Sequence, residues 1–203
     1  MFKSEKDISS SMKCILIDLE GVLVSGKRMN YQPWLISLGA NPSKVHQVYH
    51  KIVGDLHKGR ISCSKAVKII NTSLGTAIPT EEFFRHRTQY NFINKQALDF
   101  VKKMKDKGIK VYLISDISKY SWRFIKKKYS FLHLFSQRIL SFNTGFRKDQ
   151  PQYYDYLERR LHCKKEDMLL IDDDIKNVST AIKKGLHTIH FTESMKLNTV
   201  KLN

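Results

Sequence analysis

With 203 residues, 41% of them hydrophobic, the chain is long enough to bury a sizeable core in one α/β domain with a small insertion. No apolar run reaches the roughly 18 residues of a membrane-spanning helix, and the first twelve residues are polar rather than a signal peptide's apolar stretch, so a cytoplasmic protein with no membrane partner is expected. A formal charge of +17 favours encounter with anions, nucleotides and nucleic acid among them, without choosing between these.

Cys14-Ile15-Leu16-Ile17 comes first, and four consecutive apolar residues fit a strand covered on both faces, as in a parallel sheet. It runs out into Asp18-Leu19-Glu20-Gly21-Val22-Leu23, two carboxylates and a glycine beyond a strand's carboxyl end, where such sheets bind ligands. If the extended chain persists, positions 18 and 20 project to the same side. Residues 26 to 90 then read as helical. Asn41 and Pro42 give an N-cap and first helical position, with an apolar stripe over Val45, Val48, Tyr49, Ile52 and Val53 up to about Gly54. Ser62 caps a second helix carrying Ala66, Ile69 and Ile70, and Thr80 opens a third whose acidic Glu81 and Glu82 suit its N-terminus. No strand is expected in this block.

From Asn94 the pattern alternates. A helix over Ala97, Phe100, Val101 and Met104 ends at Gly108, and the strand Val111-Tyr112-Leu113-Ile114 ends in Ser115-Asp116. A helix through Trp122, Phe124 and Ile125 follows, then a short strand near Leu140 and a helix over Tyr153, Tyr156, Leu157 and Leu161. Met168 to Ile171 is a strand ending at Asp172, Val178, Ala181 and Ile182 mark a helix stopped by Gly185, and His187 to Phe191 is the last strand. Such alternation predicts an α/β fold, a Rossmann-like doubly wound parallel sheet, with the helical block inserted after the first strand.

Three strands thus end in polar residues: Asp18 with Glu20, Ser115 with Asp116, and Asp172 with Asp173 and Asp174. Parallel connections bring these ends to one edge of the sheet. Carboxylates gathered there repel one another unless a cation sits among them, and an all-oxygen set without His or Cys suits a hard ion such as Mg²⁺. Gly145-Phe146-Arg147-Lys148 adds a cation before the helix of Tyr153.

With these pieces in this order, the chain from about Met12 to Phe191 resembles the haloacid dehalogenase superfamily, in its helical-cap subclass. The resemblance rests on Asp18 to Leu23, on Ser115, on Lys148 three residues beyond Gly145, and on Ile171-Asp172-Asp173 with Asn177 and Gly185. It implies a core of residues 1–25 and 91–203, and a small all-helical cap at 26–90 in which Gly59-Arg60-Ile61-Ser62 is similar to a turn common in such caps. It also implies a Mg²⁺-dependent phosphohydrolase in which Asp18 is the nucleophile and Glu20 the general acid and base. Ser115 and Lys148 would bind the phosphoryl group, and the ion would sit on Asp18, the backbone carbonyl of Glu20, and at least one of Asp172 and Asp173, with the other acting directly or through water. Two positions depart from the family pattern: Glu20 stands where Asp is more usual, and Asp149 follows the lysine where many relatives have Pro.

The expected substrate is a small phosphorylated metabolite; oligomeric state is not legible. Two competing readings stay open. One is a phosphatase or phosphotransferase for nucleotides or nucleic-acid ends, prompted by eleven Lys or Arg against Asp99, Asp106 and Asp116 in residues 95–128, a net of +8. No nucleic-acid-binding motif accompanies that charge, so a solvated helical surface is the preferred account. The other is a binding or regulatory protein that keeps the fold without turnover, which Glu20 leaves open. His46 and His50 have a spacing that can hold zinc but lack a third ligand, and are assigned to surface or packing. Cys14, Cys63 and Cys163 lie far apart without a CxxC pair, so no disulfide framework or structural zinc is expected and Cys14 reads as a small core residue.

Overall fold

The computed structural model describes residues 12–25, 32–88 and 92–197. β1 (Cys14–Asp18) and the two-residue β2 (Val24–Ser25) lead into α1 (Gln32–Ser37), α2 (Pro42–His57), α3 (Cys63–Leu74) and α4 (Thr80–Thr88), and β3 (Phe92–Ile93) leads out again. Next come α5 (Lys95–Asp106), β4 (Lys110–Ser115), α6 (Lys119–Lys128), β5 (Gln137–Leu140) and the short α7 (Ser141–Thr144). The chain finishes with α8 (Pro151–Leu161), β6 (Met168–Asp172), α9 (Ile175–Lys183) and β7 (His187–His190).

The five longer strands form one sheet in the order β5-β4-β1-β6-β7, every neighbouring pair parallel. β1 is central, and Ile15, Leu16 and Ile17 are fully buried because helices cover both faces; each contributes about 1.5–3 kcal/mol of apolar burial. Side chains alternate as the period of two demands. Ile15, Ile17, Leu113 and Ile171 pack into one core, while Cys14, Leu16, Ile114 and Leu170 pack into another with Tyr153, Tyr154 and Leu157 of α8.

The helices between β2 and β3 have a third core of their own, built on Leu35, Val45, Tyr49, Ile70, Phe83 and Phe84. It meets the sheet layer through Tyr120 and Phe124 of α6. Their capping follows the sequence: Asn41 accepts from the Lys44 N–H and Ser62 from the Lys65 N–H, both at 3.1 Å. Gly59 has φ +70°, and a Cβ there would lie 2.6 Å from the Phe142 carbonyl oxygen, so the turn after α2 closes tightly on α7. No helix among the described residues is long and apolar enough to cross a membrane.

Four local expectations need correction. α2 does not stop near Gly54 but runs to His57, because a single glycine inside a helix costs only about 1 kcal/mol against a good apolar stripe. α1 and α7 were not foreseen, being too short to show a period. Nor was the antiparallel pair β2–β3, with Val24 opposite Ile93, since two-residue strands carry no alternation to read. Cys14 is more than a core residue: it is disulfide-bonded to Cys163 from a position 149 residues away, brought to it because the segment after α8 lies under β1.

Candidate active site

The carboxyl ends of β1, β4 and β6 carry the site, and the register sets which side chains meet. Ile17 pairs with Ile171 across β1 and β6, so Asp18 and Asp172 stand one step beyond, side by side. Both continue the alternation of Leu16 and Leu170 and therefore face α8, on whose approach Lys148 lies. Lys148 Nζ sits 2.7 Å from Asp18 Oδ1 and 2.7 Å from Asp172 Oδ2, with 3% of its side chain exposed. Asp18 Oδ1 also accepts from the Leu19 N–H at 2.7 Å, so two donors converge on this oxygen.

Asp172 is wholly buried. Its Oδ1 accepts from the Asp174 N–H at 2.9 Å and from Asn177 Nδ2 at 3.0 Å, while Oδ2 faces the Lys148 ammonium. Asp173 instead lines the open cavity and rests against Gly21, whose φ of +93° lets the backbone turn and whose missing Cβ leaves room for the Asp173 carboxylate. Asp174, at the N-cap of α9, accepts from the Lys176 N–H at 2.9 Å.

The electrostatics are those of several buried anions sharing one cation. Burial raises the Asp18 carboxyl well above its usual range, opposed by Lys148 and reinforced by Asp172 and Asp173. Burial pulls the Lys148 ammonium down, but Asp172, Asp18 and Asp116 outweigh it, and the group is held charged well above its usual range. Oxygens of Asp18, Asp172 and Asp173 lie within 4.8 Å of one another. That all-carboxylate set, with more negative charge than Lys148 balances, fits a hard divalent cation.

Asp18, Asp173 and Lys148 border a cavity of about 870 Å³, walled on one side by the sheet edge and on the other by α2 and α4. Ser115 and Glu20 both border it. Glu20 does not reach it as an extended continuation of β1, however. β1 stops at Asp18, and the Leu23 and Val24 N–H groups both donate to the Leu19 carbonyl, folding the chain into a tight turn. The Glu20 carboxylate accordingly stays outside the three-carboxylate group. His46 and His50 also face the cavity, with ring centroids 4.2 Å apart. None of the described lysines of residues 95–128 borders it.

Asp116 is a site residue for which sequence reasoning made no assignment. Its carboxylate accepts from the Lys148 N–H at 3.2 and 3.3 Å and from Arg147 Nε at 3.3 Å, so it orients the loop that delivers the lysine. Burial raises its carboxyl, against the pull of Lys148 and Arg147. Its position directly after Ser115 at a strand end was the available signal. Arg147 also bridges to Asp149 at 3.4 Å, which gives the residue following the lysine a loop-holding contact.

A family model described as haloacid dehalogenase-like hydrolase matches residues 12–185. The chain is 21% identical over 198 residues to the sesquiterpene phosphatase astK of Aspergillus oryzae, covering 92% of this chain and 93% of that one. It is 24% identical over 187 residues to a D-ribitol-5-phosphate phosphatase of Bacteroides thetaiotaomicron, covering 87% and 90%. Among solved structures, a HAD family enzyme of Bacteroides thetaiotaomicron in complex with magnesium superposes with a TM-score of 0.80 at 21% identity, over 91% of this chain and 96% of that one. The same enzyme with magnesium and inorganic phosphate gives a TM-score of 0.75 at 20% identity, over 91% and 96%. At these identities the superpositions establish the fold.

Proposed function

Since the chain belongs to the haloacid dehalogenase-like hydrolases, we propose that it is a Mg²⁺-dependent phosphohydrolase releasing phosphate from a small phosphorylated metabolite through an aspartyl-phosphate on Asp18. The observation that carries this reading is Lys148 Nζ at 2.7 Å from both Asp18 and Asp172, at the edge of a cavity bordered by Asp173, Ser115 and Glu20. The likeness to two proteins named as phosphatases, over 92% and 87% of this chain, supports it.

The Asp18 carboxylate attacks phosphorus, forming an O–P bond as the bond to the leaving oxygen breaks. Glu20 gives its proton to that oxygen, then takes one from a water that attacks the same phosphorus and frees Asp18. Lys148 and Ser115 hold the phosphoryl oxygens while charge redistributes. Asp18, Asp173, Asp172 and the Glu20 carbonyl would hold the Mg²⁺, which supplies charge neutralisation between the two anions that must meet. Asp116 keeps Lys148 aimed, and Asn177 does the same for Asp172. Residues 26–90 act as a cap over a core of 1–25 and 91–203, excluding water from the reacting groups.

Purified protein with Mg²⁺ is expected to hydrolyse p-nitrophenyl phosphate, to lose that activity on chelation and to regain it when Mg²⁺ is restored. Asp18→Asn is expected to abolish it. Undiminished turnover in Asp18→Asn, or turnover indifferent to chelation, sinks the mechanism.

A further inference from the structure

The cations of the core are not spread evenly over its surface. In a fully parallel sheet every strand begins at one edge, and α5, α6, α8 and α9 each run back to that edge before β4, β5, β6 and β7 in turn. All four helix C-termini therefore gather where the strands start, roughly 16 Å from the carboxyl ends that carry Asp18 and Asp172. Each of these last turns is basic, with Lys103 and Lys105 in α5 and Lys126, Lys127 and Lys128 in α6. Arg159 and Arg160 close α8, and Lys183 closes α9. Lys107 and the first residue of β4, Lys110, join them, and all of these residues are exposed.

A cation in a last turn suits the negative end of its own helix dipole. The dipole does not explain why so few carboxylates accompany them. Acidic groups at this edge are taken up by other lysines: Asp167 by Lys13 at 2.7 Å, Glu158 by Lys165 at 2.7 Å, and Asp155 by Lys165 and Lys184 at 2.8 and 2.7 Å. Glu166 lies 4.0 Å from Lys164. Among the described residues, Asp106 is the one further carboxylate that these four helix ends contain. The result is a positive field at the end of the molecule opposite the cavity.

We propose that this edge docks on an anionic bilayer surface and holds the protein there peripherally, with the cavity on the side away from the lipid. Three features favour a bilayer over nucleic acid. The helices present carbonyl ends, not the amide ends that hold phosphates in directed contacts. Tyr129, beside Lys128, and Phe131 are buried and offer no base a stacking surface. Ile182, 48% exposed in the last turn of α9, puts an apolar side chain among the lysines, which strengthens binding to a headgroup layer. A bilayer responds to summed charge without directed contacts, each lysine near its surface raising partition about fivefold. Such docking needs no membrane-spanning helix, the membrane contact that the hydropathy of the chain argues against, and it does not depend on the reaction at Asp18.

Two variants of equal net charge separate the edge from the charge of the whole chain. One carries Lys103→Gln, Lys105→Gln, Lys126→Gln and Lys127→Gln at the edge; the other carries Lys44→Gln, Lys51→Gln, Lys65→Gln and Lys68→Gln on α2 and α3. All these lysines are exposed, and Gln matches Lys in helix propensity, so both variants should melt within a few degrees of wild type. Partition is measured by co-sedimentation with phosphatidylcholine vesicles, with and without about 30% phosphatidylserine, in about 0.1 M and about 0.5 M salt. Wild type is expected to bind the anionic vesicles at least about tenfold better than the neutral ones at the lower salt, and to lose that excess at the higher. The edge variant should bind anionic vesicles at least about tenfold more weakly than wild type, and the α2–α3 variant within about threefold of it. Equal binding to both kinds of vesicle, or equal losses in the two variants, overturns the proposal. Binding to duplex DNA that the edge variant loses, with no binding to anionic vesicles, assigns the surface to nucleic acid and overturns it as well.

Discussion

The two sides of the cavity are held in place by different physics. At the sheet edge, charged groups are buried and fixed by contacts near 2.7–3.0 Å, with Lys148 and Asp172 almost wholly removed from solvent. On the helical side His46, His50 and Arg87 are half-exposed or exposed, and they are placed by helix geometry and an aromatic ring within a separate apolar core. Groups that must act on a bond need a preorganised, dry setting, because fixed dipoles and charges are worth far more there than in water. Groups that select a ligand can remain solvated and change without endangering the fold. A mutation is therefore expected to behave according to the side on which it falls.

The largest test is Lys148→Met. It leaves the buried Asp18 and Asp172 facing each other without their cation, and breaking a buried pair in this way costs about 3–5 kcal/mol. Urea unfolding without Mg²⁺ should report that loss, and p-nitrophenyl phosphate turnover should fall at least about 100-fold. A wild-type midpoint would break the comparison. Gly21→Ala comes next: the positive φ and the overlap with Asp173 should cost about 1–3 kcal/mol. By displacing Asp173 it should also raise the Mg²⁺ concentration for half-maximal activity about 10-fold or more. On the other side, Ser62→Ala removes the N-cap of α3. It should lower stability by about 1 kcal/mol and Tm by a few degrees, with kcat on p-nitrophenyl phosphate unchanged.

The smallest effect lies away from the cavity. Hydrogen bonds from Lys165 and Lys184 hold the Asp155 carboxyl below its usual range, tying α8 to α9 and to the segment before β6. A depressed carboxyl contributes stability that is complete above the ordinary carboxylate pKa and disappears as pH falls through the lowered value. The Asp155 side chain is 38% exposed, so solvent screening limits the contribution to under about 1 kcal/mol. Asp155→Asn should be slightly less stable at pH 7 and match wild type in strong acid, as read by urea midpoints at the two pH values.

The parallel sheet was legible because apolar runs such as Ile15 to Ile17 and Leu169 to Ile171 declare strands buried on both faces, and their polar ends line up once the connections are parallel. Caps were legible too, since Asn41 and Ser62 act through bonds three residues along the chain. What escaped lay beyond local spacing. The partnership of Cys14 with Cys163 and the grip of Asp116 on the Lys148 loop depend on tertiary packing across 149 and 32 residues. The turn at Glu20 broke an alternation that the sequence alone would have continued. The polarity of the cavity was hidden for another reason: His46 and His50 take their meaning from what α2 faces, and periodicity identifies a face without saying what stands opposite.

The antiparallel β2–β3 pair also bears on how such a chain can change over generations. Both crossings between the sheet layer and the helical block run through this one ladder, Val24 beside Ile93. Residues gained or lost inside the block therefore lengthen an excursion that starts and ends at the same place, and the five strands keep their pairing. A single residue gained within β1 would instead turn every following side chain to the opposite face and carry Asp18 away from Lys148. The helical block is thereby open to insertion, deletion and exchange, whereas the central strand tolerates substitution far better than a change of length.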